Sequence, residues 1–238
     1  MTIAFTQPNS IGAFLRAEPA RLAEWGARRR GHLIAFCIVM IVIGAGSYGV
    51  AMGSWRNAKQ ALFTGIKLPL AILLTTLGNG ILNGMLAPLL GLNITFRQSL
   101  AAVLMSFATT AIVLGALSPV AWFIVWNTPP LTAGTTLTAA EYAFLQLTLA
   151  VFVALAGVIG NLQLLPLLRE WAGSAAIARN VLLAWLAGNL FLGSQICWVL
   201  RPFIWEANRP VEFIGQDSFH GSFFETVFAA AHRLLFSS

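Results

Sequence analysis

The chain has 238 residues, of which 58% are hydrophobic and 9% are charged, and its formal net charge is +6. An ordinary soluble domain has about 25% charged residues, so this composition excludes a water-soluble globule. The basic residues are scattered between apolar stretches and form no patch interleaved with aromatic residues, which argues against nucleic acid as a partner.

Residues 1–31 form a polar lead with two short apolar stripes. Ser10 is placed to cap one helical turn, and Pro19 is placed to begin a second. Apolar stripes beside arginines are typical of an amphipathic helix on an anionic membrane surface. A solvated lead that only fixes the orientation of the chain explains the same residues equally well.

Five apolar stretches follow, and each is long enough to cross a bilayer at about 20 residues per crossing. They cover residues 32–53, 61–92, 99–126, 141–168 and 180–204. The sequence therefore predicts an all-α fold, a polytopic membrane helical bundle of about five transmembrane helices. The second stretch is too long for one perpendicular helix and too short for two comfortable ones, so a kinked helix and two half-helices are both open.

The distribution of arginine and lysine gives the expected orientation. With a cytoplasmic N-terminus, the cytoplasmic segments hold more basic residues than the opposite side, in agreement with the positive-inside rule. The cytoplasmic set is Arg16, Arg21, Arg28, Arg29, Arg30, Arg97, Arg169 and Arg179. We therefore expect a multi-pass protein of the cell inner membrane whose C-terminus is non-cytoplasmic.

The tail, residues 205–238, follows the last span. From Gly221 onward its apolar residues recur at helical spacing, which predicts an amphipathic helix over 221–236. Amphipathic helices are thus expected at both ends of the chain, and the tail is the segment best suited to a specific contact outside the bundle.

Motifs of catalysis are missing from the sequence, which contains no HExxH, no GxSxG, no P-loop and no GxGxxG after a strand. Cys37 and Cys197 lie in apolar stretches without CxxC spacing, as small buried residues do. We therefore expect no enzyme activity, no catalytic residue, no metal and no cofactor.

Polar and small residues inside the spans carry the strongest signal, because an amide in hydrocarbon needs a partner or a path for water. The set chosen for helix packing or for a polar path is Asn79, Gly80, Asn83, Gly84, Asn161, Gln163, Asn189 and Gln195. Asn79 and Asn83 share a helical face beside two glycines at small-xxx-small spacing. A packing seam is favoured over a broken helix that binds a solute, because neither Asn79–Asn83 nor Asn161–Gln163 has an acidic neighbour.

A second set of residues belongs to the membrane edge, where interfacial or lipid contact is expected. Its members are Lys67, Trp198, Arg201 and Trp205. Lys67 is close enough to the start of its span to extend its ammonium toward water. Arg201 is expected to pair with Glu206 or Glu212 or to hold a lipid headgroup.

The five-span layout with a cytoplasmic amphipathic lead resembles that of Yip1-domain membrane proteins. The ending GSQICWVLRPF, with PVEFI and GSFFE after it, resembles uncharacterised bacterial multi-pass inner-membrane proteins. The first resemblance implies a role in membrane trafficking, but the extended tail departs from the Yip1 pattern and weakens that implication. The second resemblance implies no activity.

The function expected from the sequence is that of a non-enzymatic membrane assembly or accessory subunit, which contacts partners through glycine-rich helix faces and the C-terminal segment. The alternative is a small channel or transporter with a polar path along the second stretch. Under either function, the expected partners of the protein are membrane lipids and the other subunits of a homo-oligomer or of a larger membrane complex.

Overall fold

The computed structural model describes residues 30–129, 139–201, 211–215 and 218–225. These residues form six helices and no strand. The helices are α1 (Arg30–Gly53), α2 (Ala58–Leu89), α3 (Phe96–Asn127), α4 (Ala139–Leu162), α5 (Leu164–Ala172) and α6 (Ala175–Leu200). The expected helix of the lead and Trp205 lie outside the described residues. Of the helix expected over 221–236, only residues 221–225 are described, and of these residues 223–225 are helical.

Five stretches of helix are long and apolar enough to cross a membrane, with α4 and α5 together forming the fourth. The all-α fold of a multi-pass membrane bundle is therefore confirmed. We call the end of the bundle that holds Arg30 the N-terminal end, and the end that holds Leu200 the C-terminal end.

The second apolar stretch forms one continuous helix, α2, which contains both Pro69 and Pro88. It begins three residues earlier than the expected span because the side chain of Asn57 caps it, accepting a hydrogen bond from the backbone N–H of Gln60 at 2.8 Å. Its 32 residues extend about 48 Å, more than the roughly 30 Å of hydrocarbon. The helix must therefore tilt or project beyond the bilayer.

The fourth stretch bends between α4 and α5 at Gln163, three residues before Pro166, which has no N–H to donate to the preceding turn. The short α5 ends at Gly173, whose φ of 60° is left-handed and suits glycine. This turn directs the chain back through the membrane as α6.

Helices α1, α2 and α3 pack against one another in the centre of the bundle, α4 lies against α3, and α6 lies against α2 and α5. Tyr48 on α1 also reaches α4, where its hydroxyl donates to the carbonyl of Leu149 at 2.8 Å. The core is therefore built around α1–α3, while α4 and α6 flank it.

Glycines permit the close approach of the central helices. A Cβ on Gly44 of α1 would lie 2.0 Å from the carbonyl oxygen of Ala111 on α3. Gly49 of α1 faces α2 in the same way, since a Cβ on Gly49 would lie 2.5 Å from the carbonyl oxygen of Thr64. These glycine faces are thus occupied by neighbouring helices of the same chain.

Candidate functional site

Asn79 and Asn83 lie on the face of α2 that meets α6, and both are 0% exposed. Gly80 and Gly84 lie on the adjacent face, which meets α3: a Cβ on either would touch Leu100 or Phe96, respectively. The four residues, expected on one side of the helix, are therefore divided between two helix contacts, because consecutive residues are rotated by about 100° on a helix.

Three asparagines form a hydrogen-bonded chain across α2, α6 and α4. Asn79 donates from Nδ2 to Oδ1 of Asn189. Asn189 in turn donates from its own Nδ2 to Oδ1 of Asn161, at 3.0 Å. Asn161 completes the chain by donating to the carbonyl oxygen of Gly157, one turn earlier on α4, at 2.8 Å. Three of the residues chosen from the sequence are thus brought together, and they connect α6 to α2 and to α4.

The backbone carbonyl of Gly157 fixes the orientation of every amide in this chain, because a carbonyl only accepts. Asn161 must present its Nδ2 to Gly157 and so its Oδ1 to Asn189. Asn189 must then present its Oδ1 to Asn79. The amide oxygen of Asn79 is left outside this row of hydrogen bonds, and no described residue donates to it.

The asparagine chain lies far from the ends of the membrane-spanning helices α2 and α6. Asn79 is ten residues from the end of α2 at Leu89, which corresponds to about 15 Å of helix. Asn189 is fourteen residues from the start of α6 at Ala175, or about 21 Å. At this depth lipid offers no hydrogen bonds, so the polar groups depend on each other.

Two hydroxyl groups on α2 near this depth are satisfied by their own helix. Thr75 and Thr76 of α2 donate to the carbonyls of Ala71 and Ile72, each at 2.7 Å. Such bonds within one helix need no neighbour. The cluster is therefore held between helices by amides, which can both donate and accept.

The two glutamines do not join the asparagine chain. Gln163 lies at the bend between α4 and α5, half-buried. Gln195 lies nearer the end of α6, where its Oε1 accepts a hydrogen bond from the backbone N–H of Phe223 at 3.4 Å. The polar residue chosen for a path thus holds the C-terminal segment instead.

Lys67 is 4% exposed, so its ammonium does not extend into water as its position suggested. Its Nζ donates to the carbonyl oxygen of Glu212 at 3.1 Å. The rings of Phe63 and Phe213 lie 6.0 and 5.4 Å from the same nitrogen and contact each other edge to face. The described part of the tail therefore covers Lys67, through a phenylalanine that the sequence patterns did not single out.

Arg201 follows α6 directly and has a left-handed backbone with φ of 44°. Its guanidinium lies 5.1 Å from the centre of the Trp198 ring, within the range of a cation–π contact. Two of the four residues expected at the membrane edge are thus in contact with each other at the C-terminal end of the bundle.

Among the described residues, no three His, Cys, Asp or Glu side chains come close enough to hold a metal ion. Comparison of the chain with protein-family models, with curated proteins and with solved structures found no match.

Proposed function

We propose that this protein is a non-enzymatic assembly or accessory subunit of the cell inner membrane, which meets a second polypeptide through its C-terminal segment. The observation that carries the proposal is the placement of residues 211–215 and 218–225 against α2 and α6, with apolar side chains among them exposed. We define the described residues 211–215 and 218–225 as the C-terminal segment.

The C-terminal segment is fastened to the bundle at two levels. Near the start of α2, the carbonyl oxygen of Glu212 accepts a hydrogen bond from Lys67. Further along, Phe223 binds Gln195, and the ring of Phe224 stacks on that of Phe191 at 5.1 Å. Phe191 lies nine residues before Leu200, so the segment runs back along α6 for about 14 Å.

This placement leaves groups that lipid does not satisfy. Residues 218–222 are not helical, and His220 and Gly221 are exposed. Hydrocarbon cannot pair with exposed irregular backbone, which is tolerated at membrane depth only where protein or water covers it. Phe219 is 73% exposed in the same stretch, and Ile214 is also exposed. A protein partner can cover both the apolar side chains and the backbone groups, which supports a subunit role.

The glycine-rich faces contribute less to this proposal than the C-terminal segment does. Gly44, Gly49, Gly80 and Gly84 each face a neighbouring helix of the chain. Partner contacts are therefore proposed for the segment and the adjoining surface of α6, and the asparagines are assigned to holding the bundle together.

The continuity of α2 also favours a subunit over a transporter with a broken helix. A discontinuous helix offers two half-helix ends near mid-membrane as ligands for an ion or solute. From Ala58 to Leu89, α2 has no such break. We therefore keep the accessory-subunit function as the proposal.

Photo-crosslinking in the native membrane tests this function. A photoreactive phenylalanine analogue replaces Phe219, and the same analogue replaces Phe123 as the control. Phe123 is 67% exposed and lies near the end of α3, at the same end of the bundle. We expect a discrete protein adduct from position 219 and only lipid adducts from position 123.

Mass spectrometry of the adduct distinguishes a second copy of the chain from a different protein, and either outcome fits a subunit. If position 219 yields only lipid adducts, as position 123 does, then the segment faces lipid and the proposal fails.

A further inference from the structure

Asn83 is the described residue for which both polar atoms of a buried side-chain amide lack a hydrogen-bond partner. Asn83 is 0% exposed, yet neither its Oδ1 nor its Nδ2 has a hydrogen-bond partner among the described residues. The same holds for Oδ1 of Asn79, one turn away on α2. Buried amides without partners are rare because each loses its bonds to water on folding.

These two amide oxygens converge on one point of α6. A Cβ built on Gly188 would lie 3.3 Å from Oδ1 of Asn79 and 3.7 Å from Oδ1 of Asn83. Gly188 therefore keeps the space in front of both oxygens free of a side chain. The hydrogen bond from Nδ2 of Asn79 to Asn189 sets the orientation of the Asn79 amide. Its Oδ1 therefore faces Gly188 whether or not a molecule is bound beside it.

A donor without a partner lies on the same stripe of α6. Trp185 is three residues before Gly188 and is 0% exposed, and its indole Nε1 has no acceptor among the described residues. Residues three and four apart share a helical face, so Trp185 lies on the side that meets α2. The antiparallel pairing of Asn79 with Asn189 places Trp185 at the level of Asn83.

We infer that Asn79, Asn83 and Trp185 form a binding site beside Gly188 for one small uncharged molecule with the hydrogen-bonding capacity of water. Two amide oxygens need donors, while the Asn83 amide and the Trp185 indole need acceptors. Water supplies two donors and accepts two bonds, which matches this set.

The charge of the surroundings selects a neutral molecule. All three side chains are uncharged, and α2 carries no charged residue between Lys67, twelve residues or about 18 Å before Asn79, and its end at Leu89. An ion at this depth would need a counter-charge or a full set of oxygen ligands. This binding site is a separate inference, which does not depend on the proposed subunit function.

Nuclear magnetic resonance of the full chain in nanodiscs tests the site, with water as the probe. Magnetisation transfer from water to the Trp185 indole N–H and the Asn83 amide reports a bound water molecule, and Trp185→Phe assigns the indole signal. We expect clear transfer to both groups in the wild-type protein. Absence of transfer in the folded wild-type protein overturns the inference.

Two substitutions of glycine by alanine on α6 provide the matched comparison. Gly188→Ala places a methyl group against the two amide oxygens and should abolish the transfer. Gly193→Ala also faces α2, but its Cβ meets only Thr75 at an ordinary 3.6 Å, so transfer should persist. Equal transfer in the two variants contradicts the site.

A third variant protects the test against a folding defect in Gly188→Ala. Asn83→Leu keeps Gly188 but removes both groups of the central amide, so transfer to the Trp185 indole should fall at least severalfold. The remaining indole signals of the chain serve as the folding control. If Asn83→Leu leaves the transfer to Trp185 unchanged, the water lies elsewhere and the inference is wrong.

Discussion

Asn189 uses its amide fully, since it accepts from Asn79 on one neighbouring helix and donates to Asn161 on another. A single side chain thus connects α6 with both α2 and α4. Hydrogen bonds between membrane helices are individually weak, typically under about 2 kcal/mol, because the unfolded chain in lipid also finds partners. Because these bonds follow one another through Asn189, together they fix the position of α6 relative to α2 and α4.

Replacing Asn189 by leucine should lower the free energy of unfolding by about 1–3 kcal/mol, since it removes two bonds and leaves Asn79 and Asn161 with unpaired groups. Denaturant unfolding in mixed micelles measures the change. Asn180→Leu is the control, because Asn180 lies on the same helix and is exposed. A loss no greater than that of the control would show that the chain of amides does not hold α6.

At the scale of elements, close backbone approach explains why α1 lies between α2 and α3. Gly44 meets the backbone of Ala111 on α3, and Gly49 meets that of Thr64 on α2. Small residues let membrane helices gain van der Waals contacts that lipid cannot match. The first membrane-spanning helix is therefore closely packed against two neighbours.

The substitution Gly44→Ala should separate α1 from α3 and destabilise the bundle by about 1–3 kcal/mol, as overpacking of a dense core does. Gly157→Ala serves as the control, because a Cβ there meets nothing within 4 Å. The control should be neutral, or more stable by up to about 1 kcal/mol, through higher helix propensity. Thermal unfolding measures both, and equal melting temperatures for the two variants would refute the tight contact.

At the scale of the whole molecule, the C-terminal segment connects residues distant in sequence. Lys67 and Glu212 are 145 positions apart, and Gln195 and Phe223 are 28 apart. The segment thereby contacts the first part of α2 and the last part of α6, which both lie toward the C-terminal end of the bundle. Its attachment to Lys67 also removes an ammonium from contact with lipid, which would be costly.

Loss of the Lys67 ammonium should loosen this segment. In a Cys197→Ala background, Ser218→Cys places a thiol at a position that is buried in the structure. Adding Lys67→Met should increase its rate of labelling by a membrane-impermeant thiol reagent at least severalfold. Lys59→Met, an exposed lysine on the same helix, should leave the rate unchanged. Equal rates in the two variants would show that Lys67 does not hold the segment.

The start of each helix was less predictable than its presence. Asn57 and Thr95 cap α2 and α3, so these helices begin at Ala58 and Phe96, three residues before the apolar stretches expected for them. Capping residues and polar first turns resemble loop in a hydropathy pattern. The position of a helix end depends on one side-chain bond, whereas its existence depends on about 20 residues.

The candidate site was predictable only in part. Four-residue spacing places Asn79 and Asn83 on one face of α2, as the structure has them. It does not tell which helix meets that face, and Asn189 lies 110 positions away from Asn79. Trp185 carried no signal at all, because a tryptophan in an apolar stretch is unremarkable until its indole nitrogen is seen to be buried.

The sequence by itself determined that this chain crosses the membrane as helices, because hydrocarbon requires every backbone group of a span to be paired within that span. That requirement is local and can be read from successive residues. Only the tertiary structure decided that α2 is unbroken, that Lys67 lies beneath the C-terminal segment, and that Asn83 is buried without a partner. The surroundings of a side chain depend on which helices pack together, and that is a property of the whole chain.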